Sequence, residues 1–370
     1  MSTKNPINTL TIKGFKSIKN LDALELGRLN LLIGANGAGK SNLVSYFRML
    51  GEMMESRLQH WTTQQGSADR ILSFGVKETR RLESFIKFGR NGYAFRLEPT
   101  VDGGFSFEDE LLYFNGPYYG EKWLRLGSGH SEAKLKETFE TAPQESIADY
   151  CYSSIASWKI FHFHDTGDTA GVKRLGSLHD NSFLRPDASN LAAYLYRISE
   201  EFPEIFNRIR ETVRLAIPFF DDFVLNPKKL PTEEEQIRLL WRQKGSDYAL
   251  WPSQLSDGSL RFICLTTALL QPDPPSTIII DEPELGLHPY ALSLLAALLQ
   301  SASYRMQIIV STQSVQLVNE FSINDLIVVE REDGASIFMR HSEEEFAEWM
   351  EEYSVGELWE KNLLGGRPRA

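Results

Sequence analysis

Cysteine is nearly absent: Cys151 and Cys264 are the only two in 370 residues, far apart and outside any CxxC pair. That excludes a disulfide framework or a cysteine zinc site and fits a reducing cytoplasm. Long apolar runs are missing too. The longest candidate, Ala291–Leu299, falls well short of the roughly 20 residues a membrane helix needs, and Met1–Leu10 has no apolar core of the secretory kind. The expectation is a soluble, cytoplasmic chain with no membrane partner. Positive charge is also in deficit. The 39 Lys and Arg against 50 Asp and Glu leave a net charge of -11, which argues against non-specific coating of nucleic acid but leaves room for a local basic groove. No internal repeat, low-complexity tract or long heptad run is present. What remains, 42% hydrophobic and 24% charged, is the composition of a globular protein of one large domain or two smaller ones.

The pattern along the chain is α/β at both ends. Thr9–Ile12 and Leu29–Ile33 read as short strands, and the second runs directly into a glycine-rich loop. Leu43, Val44, Phe47, Leu50, Met53 and Met54 then recur at helical spacing. From Ser84 to Asn115 short alternating runs, with turns at Asn91-Gly92 and Asp102-Gly103-Gly104, predict an antiparallel β lobe. Gly116–Tyr150 reads as polar and irregular, helical around Ser131–Glu140. A helical stretch follows over Ala188–Leu215 and a strand-like run over Gln236–Trp241. The last third predicts a helix over Leu255–Leu270, strands over Thr277–Ile280, Gln307–Val310 and Asp325–Glu330, and a helix over Tyr290–Ser301. The expected division is 1–75 for the first part of one nucleotide-binding domain, 76–250 for the β lobe and a mainly helical insertion, and 251–370 for its second part.

Three segments carry chemistry. Gly34-Ala35-Asn36-Gly37-Ala38-Gly39-Lys40-Ser41 fits G-x-x-x-x-G-K-S/T in full, between a strand and a helix. Glycines let such a loop turn its N–H groups onto phosphate oxygens, with the helix N-terminus beneath. Gly37, Gly39 and Lys40 would hold the phosphates of ATP, and Ser41 would ligate Mg²⁺. Asn36 either caps locally, the favoured reading, or reaches the γ-phosphate. Thr277-Ile278-Ile279-Ile280-Asp281-Glu282 describes a buried parallel strand delivering two acids at its C-terminal edge. Asp281 would hold Mg²⁺ through water, and Glu282 would orient or deprotonate the attacking water. Leu255-Ser256-Asp257-Gly258-Ser259 opens a helix; alone it is an N-cap, although Ser256 and the N–H groups around Gly258 also form an anion site.

In this order the three segments resemble the ABC-type ATPases, and more closely their SMC, RecF and OLD branch, often filed as AAA-type ATPases. Gly14-Phe15-Lys16-Ser17-Ile18, the run Asp281–Pro289, Ser311-Thr312-Gln313-Ser314, His162–Thr166 (HFHDT) and the tail Gly356–Trp359 through Gly365-Gly366-Arg367-Pro368 strengthen the likeness. It implies a P-loop ABC-type ATPase head with a mixed or parallel core sheet, an antiparallel β lobe and a mainly helical insertion. It also implies a homodimer, or a higher oligomer, closing around ATP. Ser256 and Gly258 of one subunit would then act on the γ-phosphate held by the other. Where the family usually has a histidine after the next strand, this chain has Gln313, which can donate a hydrogen bond but cannot become cationic. Slow ATP hydrolysis, with Lys40, Glu282 and Gln313 as catalytic residues, would suit a switch.

Other residues have blander readings. Gln64 and Gln65 are candidate Mg²⁺-sensing residues, though a solvated loop pair is favoured. His162, His164 and Asp165 invite a metal site, but alternating aromatic and histidine residues with one packed face is the preferred account, since no fourth ligand lies nearby. His288 reads as structural or as part of a dimer seam, and Glu343–Glu352 around Trp349 as a solvated amphipathic helix. The leading functional expectation is an ATP-dependent switch in DNA maintenance or anti-phage defence, working with a separately encoded effector such as a nuclease. The alternative is a repair clamp that binds DNA directly through Lys77, Arg80, Arg81, Lys87, Arg90 and Arg96. A transporter subunit ranks last.

Overall fold

The structure, a computed structural model, describes residues 5–118 and 120–366. Arg367 and Pro368 of the tail motif lie outside the described residues, as do Met1–Lys4 of the amino-terminal segment.

Leu29–Ile33 and Gln307–Ser311 are buried at every position, and Thr277–Asp281 at all but its last. A strand buried on both faces belongs inside a covered parallel sheet. These three occupy its centre, in the order Ala335–Met339, Leu326–Glu332, Leu29–Ile33, Gln307–Ser311, Thr277–Asp281, Lys159–Phe161. All neighbours are parallel except Ala335–Met339, which closes one edge as a hairpin with Leu326–Glu332.

Alternation along these strands feeds two cores. Leu31, Ile33, Ile278, Ile280, Ile308, Val310 and Val328 face a core built with the helices Leu191–Glu201, Asp257–Leu270 and Pro289–Ser303. Leu32, Ile279, Ile309, Ile327 and Val329 face a second core with the helices Lys40–Met54 and Ile147–Ser157 and a six-stranded antiparallel sheet. That second sheet runs Ile18–Glu25, Thr9–Phe15, Leu82–Phe88, Asn91–Pro99, Phe105–Gly116, Gly120–Gly127. The sheets thus cross the sequence divisions: Thr9–Phe15 pairs with Leu82–Phe88, and Lys159–Phe161 from the middle of the chain edges the core sheet.

Several local expectations change. Gly120–Gly127, expected to be irregular, is the edge strand of the antiparallel sheet; its first six residues are all exposed, so it carries no apolar alternation to read. The hairpin turn lies at Gly89-Arg90, with Asn91 already paired to Phe88, because Gly89 takes the positive φ of +61°. The Ala188–Leu215 stretch is two helices, Leu191–Glu201 and Pro203–Ala216, broken at Phe202 because proline drives the preceding residue out of the helical region. The Gln236–Trp241 run splits into Glu235–Ile237 and Leu240–Gln243, which join two different three-stranded sheets. Among the described residues no helix is long and apolar enough to cross a membrane.

Candidate functional site

Ile33 ends its strand at Gly34, whose φ of +149° and close neighbour leave no room for a side chain: a Cβ there would lie 2.2 Å from the Val329 carbonyl oxygen. Gly39, at φ +120°, closes the loop and caps the helix Lys40–Met54; a Cβ would meet Ser336 Oγ at 1.9 Å. The loop is tied from outside. Arg331 donates to the Gly37 carbonyl at 3.1 Å, Ser336 Oγ donates to the Ala38 carbonyl, and the Ala35 amide donates to the Gly366 carbonyl at 2.8 Å. Lys40, 5% exposed, donates Nζ to the carbonyls of Gly34 and, at 3.1 Å, Ala35. Burial lowers its pKa, opposed by the carboxylates of Glu282, Asp281 and Glu284. An ammonium held by its own loop beside three acids fits a group that exchanges those carbonyls for phosphate oxygens. Ser41 stands exposed in the first helical turn, and Asn36 is exposed at the loop tip.

The acidic strand arrives beside this loop. Asp281 accepts a hydrogen bond from Ser311 Oγ on the adjacent strand, which orients its carboxylate. Glu282 has left-handed backbone, φ +44°, a conformation costing about 1–3 kcal/mol in a residue with a Cβ. It is held there by its N–H donating to the Ser311 carbonyl at 2.8 Å, and Gln313 Nε2 donates to its side chain. Glu284 accepts from Thr312 Oγ1 at 2.7 Å and from the Gln313 amide at 2.9 Å. Burial, with help from Glu282, raises its carboxyl above the ordinary range. Lys40, Asp281, Glu282 and Gln313 therefore converge at the C-terminal edge of the core sheet.

Ser256 and Gly258 stand apart from them. Ser256 caps the helix Asp257–Leu270, accepting from the Ser259 amide at 3.1 Å. Gly258 lies flat against the loop after the acidic strand: a Cβ would be 2.0 Å from the Gly286 carbonyl oxygen. Together with Leu287 and His288 they line a small surface concavity that does not include the phosphate loop. His288 has a capping role, its Nδ1 accepting from the Tyr290 amide at 3.3 Å at the start of Pro289–Ser303, and it is exposed.

Gln64 and Gln65 end the Leu58–Gln64 helix, where Gln64 pairs with His60 and Gln65 accepts from Lys16 Nζ at 3.0 Å. Around HFHDT, Phe161, just before it, and Phe163 are buried and His162 and His164 turn outward, as alternation predicts. His164 Nε2 lies 3.0 Å from the Asp281 carbonyl oxygen; desolvation, then the neighbouring His164, lower the pKa of His162. The acid beside the histidines is Asp281; Asp165 instead accepts from the Gly167 amide at 3.2 Å. The Glu343–Glu352 segment is a 3-10 turn and the four-residue helix Ala347–Met350, neither with a buried residue. Two of the basic residues are taken up in ion pairs: Arg81 with Glu83 and Glu108, and Arg96 with Glu83 and Asp109. Lys87 lies over the rings of Phe85 and Tyr113.

Sequence reasoning assigned no role to Glu284, Arg261, Arg331 or Ser336. Arg261, 7% exposed, donates to the Phe163 carbonyl at 2.8 Å and the His164 carbonyl at 3.4 Å, tying the Ser256 helix to HFHDT. Only Glu284 had a readable signal, its place within the quoted Asp281–Pro289 run.

A model of the family described as "AAA domain, putative AbiEii toxin, Type IV TA system" matches residues 29–319. The chain is similar to the DNA replication and repair protein RecF of Leptospira interrogans serogroup Icterohaemorrhagiae serovar Lai (strain 56601), 24% identical over 247 residues, covering 64% of this chain and 62% of that protein. It is also similar to the Old nuclease of Escherichia phage P2, 23% identical over 373 residues, covering 92% and 62%. It thus spans 62% of the length of either relative. Its fold is similar to that of an Smc head bound to the C-winged helix domain of ScpA, with a TM-score of 0.61, 16% identity and 93% and 99% of the two chains covered. A second Smc head, with an extended coiled coil and bound to the C-terminal domain of ScpA derived from Pyrococcus furiosus, gives a TM-score of 0.57 at 15% identity, covering 94% and 99%.

Proposed function

Because the chain belongs to the AAA-domain family whose model spans residues 29–319 and has the fold of an Smc head ATPase, we propose that it binds and hydrolyses ATP and closes into a dimer around it. The observation that carries this is the convergence of Lys40, Asp281, Glu282 and Gln313 at one sheet edge. When bound, ATP with Mg²⁺ supplies the electrophilic γ-phosphoryl group and the charge that neutralises it.

The side chains do the rest. Gly37, Gly39 and Lys40 hold the phosphates, Lys40 giving up its bonds to Gly34 and Ala35 to do so. Ser41 and Asp281 are the oxygen donors for the cation, a hydroxyl and a carboxylate suited to Mg²⁺. Glu282 takes the proton of the attacking water, and Gln313 holds that carboxylate in place. Since Gln313 cannot carry the charge a histidine could, turnover is slow and the closed state long-lived. Ser256 and Gly258, which line a concavity separate from that of their own chain's phosphate loop, complete the site of a second copy.

We place this switch in DNA maintenance or anti-phage defence, with a separate effector such as a nuclease. The likeness to proteins named for DNA replication and repair and for nuclease activity supports this. Direct clamping of DNA is the weaker reading, because Arg81 and Arg96 are already paired with acids. The test is size-exclusion chromatography with light scattering on Glu282→Gln, with and without ATP and Mg²⁺. A dimer that forms only with ATP, and not in a Lys40→Ala variant, is expected. A Glu282→Gln chain that neither retains ATP nor dimerises refutes the scheme.

A further inference from the structure

We propose that in the nucleotide-free chain, where Asp281 is not engaged by the Mg²⁺ of the proposed function, His162, His164 and Asp281 form a binding site for a divalent transition-metal ion of the class that accepts imidazole nitrogen, such as Zn²⁺ or Co²⁺. Lys159–Phe161 lies parallel to Thr277–Asp281 with Phe161 opposite Ile280, so the next residues in register are His162 and Asp281. Phe161 and Phe163 are locked into the core, ring to ring at 5.2 Å, which turns both histidines to the outer face. Their rings stack at 3.9 Å and 14°. A ring nitrogen of each and a carboxylate oxygen of Asp281 all lie within 4.8 Å of one another.

Packing accounts for the alternation, but it does not require a carboxylate to meet the two imidazoles. The surrounding bonds orient the three side chains in a way a metal site would use. A carbonyl oxygen can only accept, so His164 donates Nε2–H to the Asp281 carbonyl and keeps its lone pair on Nδ1. Ligating histidines characteristically give their second ring N–H to a carbonyl or carboxylate in this way. Asp281 is itself oriented by Ser311, and Arg261 fixes the Phe163 and His164 carbonyls. Bonds of about 2.0–2.2 Å at tetrahedral angles set donors about 3.4 Å apart, a closure that requires exposed His162 to rotate out of its stack on His164. Two imidazoles and one carboxylate leave a coordination position open, as in hydrolytic zinc sites. Mg²⁺, which favours oxygen donors, would gain little from the histidines.

The probe is Co²⁺ added to the full chain, stripped of metal and free of nucleotide, followed by its visible absorption and by displacement with Zn²⁺. One ion per chain is expected. His162→Gln and His164→Gln should each weaken binding about 100-fold, the scale at which even indirect partners of a metal act. Lys40→Ala, which removes a positive charge acting on Asp281, should not weaken binding, so failure here is distinct from failure of the ATP reading. Pulsed EPR of the Cu²⁺-loaded wild-type chain needs no variant and should show two directly bound imidazole nitrogens. Absence of saturable binding, survival of binding in both histidine variants, or an EPR spectrum without imidazole nitrogen overturns the proposal.

Discussion

Replacing Gly258 with alanine tests whether the Ser256 loop is aimed by rigid contact with the acidic-strand loop. The added Cβ would sit 2.0 Å from the Gly286 carbonyl oxygen and 2.9 Å from its carbonyl carbon. Both are backbone atoms, so no rotamer change relieves the overlap. Ordinary contact begins near 3.4 Å, so the two segments must separate by the difference, 1.4 Å. Overpacking of this kind costs about 1–3 kcal/mol. For 370 residues an unfolding entropy of about 2.1 cal/mol/K per residue gives about 0.8 kcal/mol per degree, so Tm should fall by about 1–4 °C. Fluorescent-nucleotide titration should show ATP affinity unchanged, because Lys40 and its loop lie elsewhere. In a Glu282→Gln background, light scattering should show the ATP-dependent dimer lost, because a shift over 1 Å misplaces Ser256 and the N–H groups beside it. A Gly258→Ala chain with wild-type Tm and an intact dimer would refute the idea that Gly286 sets the loop's position.

Gln313→His should raise kcat about tenfold and add a pH dependence near the imidazole range, measured by phosphate release; an unchanged rate would mean position 313 does not limit hydrolysis. Burial raises the Glu284 carboxyl, so its contribution to stability is complete below the ordinary value of 4.5 and lost as pH rises through the raised one. Glu284→Gln, whose carbonyl can still accept from Thr312 and Gln313, should therefore match or exceed wild-type Tm at pH 7 and lose that advantage in mild acid. A deficit of equal size at both pH values would contradict this. Cys151 and Cys264 are buried, with thiols pushed up by desolvation, Cys264 to about 12. Neither should react with an aromatic disulfide reagent until the chain is denatured; fast labelling of the native protein would show local opening.

The core of the fold was legible because its strands advertise themselves. Runs such as Thr277–Ile280, β-branched throughout, short and without a polar face, read as central strands, and a glycine loop between strand and helix points to phosphate binding. Elements without such a signature were misread. Gly120–Gly127 hides because an exposed edge strand has no buried face, whereas the break at Phe202 was signalled by Pro203, which opens the second helix.

Local order along the chain was enough to nominate Gly34–Ser41, Asp281, Glu282 and the Ser256–Gly258 cap as candidates, because the chemistry proposed for them depends on neighbours within a few residues. Which distant groups meet them was decided by tertiary structure alone. Asp281 rather than Asp165 joins the histidines because Lys159–Phe161 pairs with the acidic strand across more than a hundred residues of sequence. Arg261 reaches HFHDT, and Gly366 the phosphate loop, through packing that no local pattern encodes. Hydrophobic periodicity says which face of a strand is buried; it does not say against which other segment.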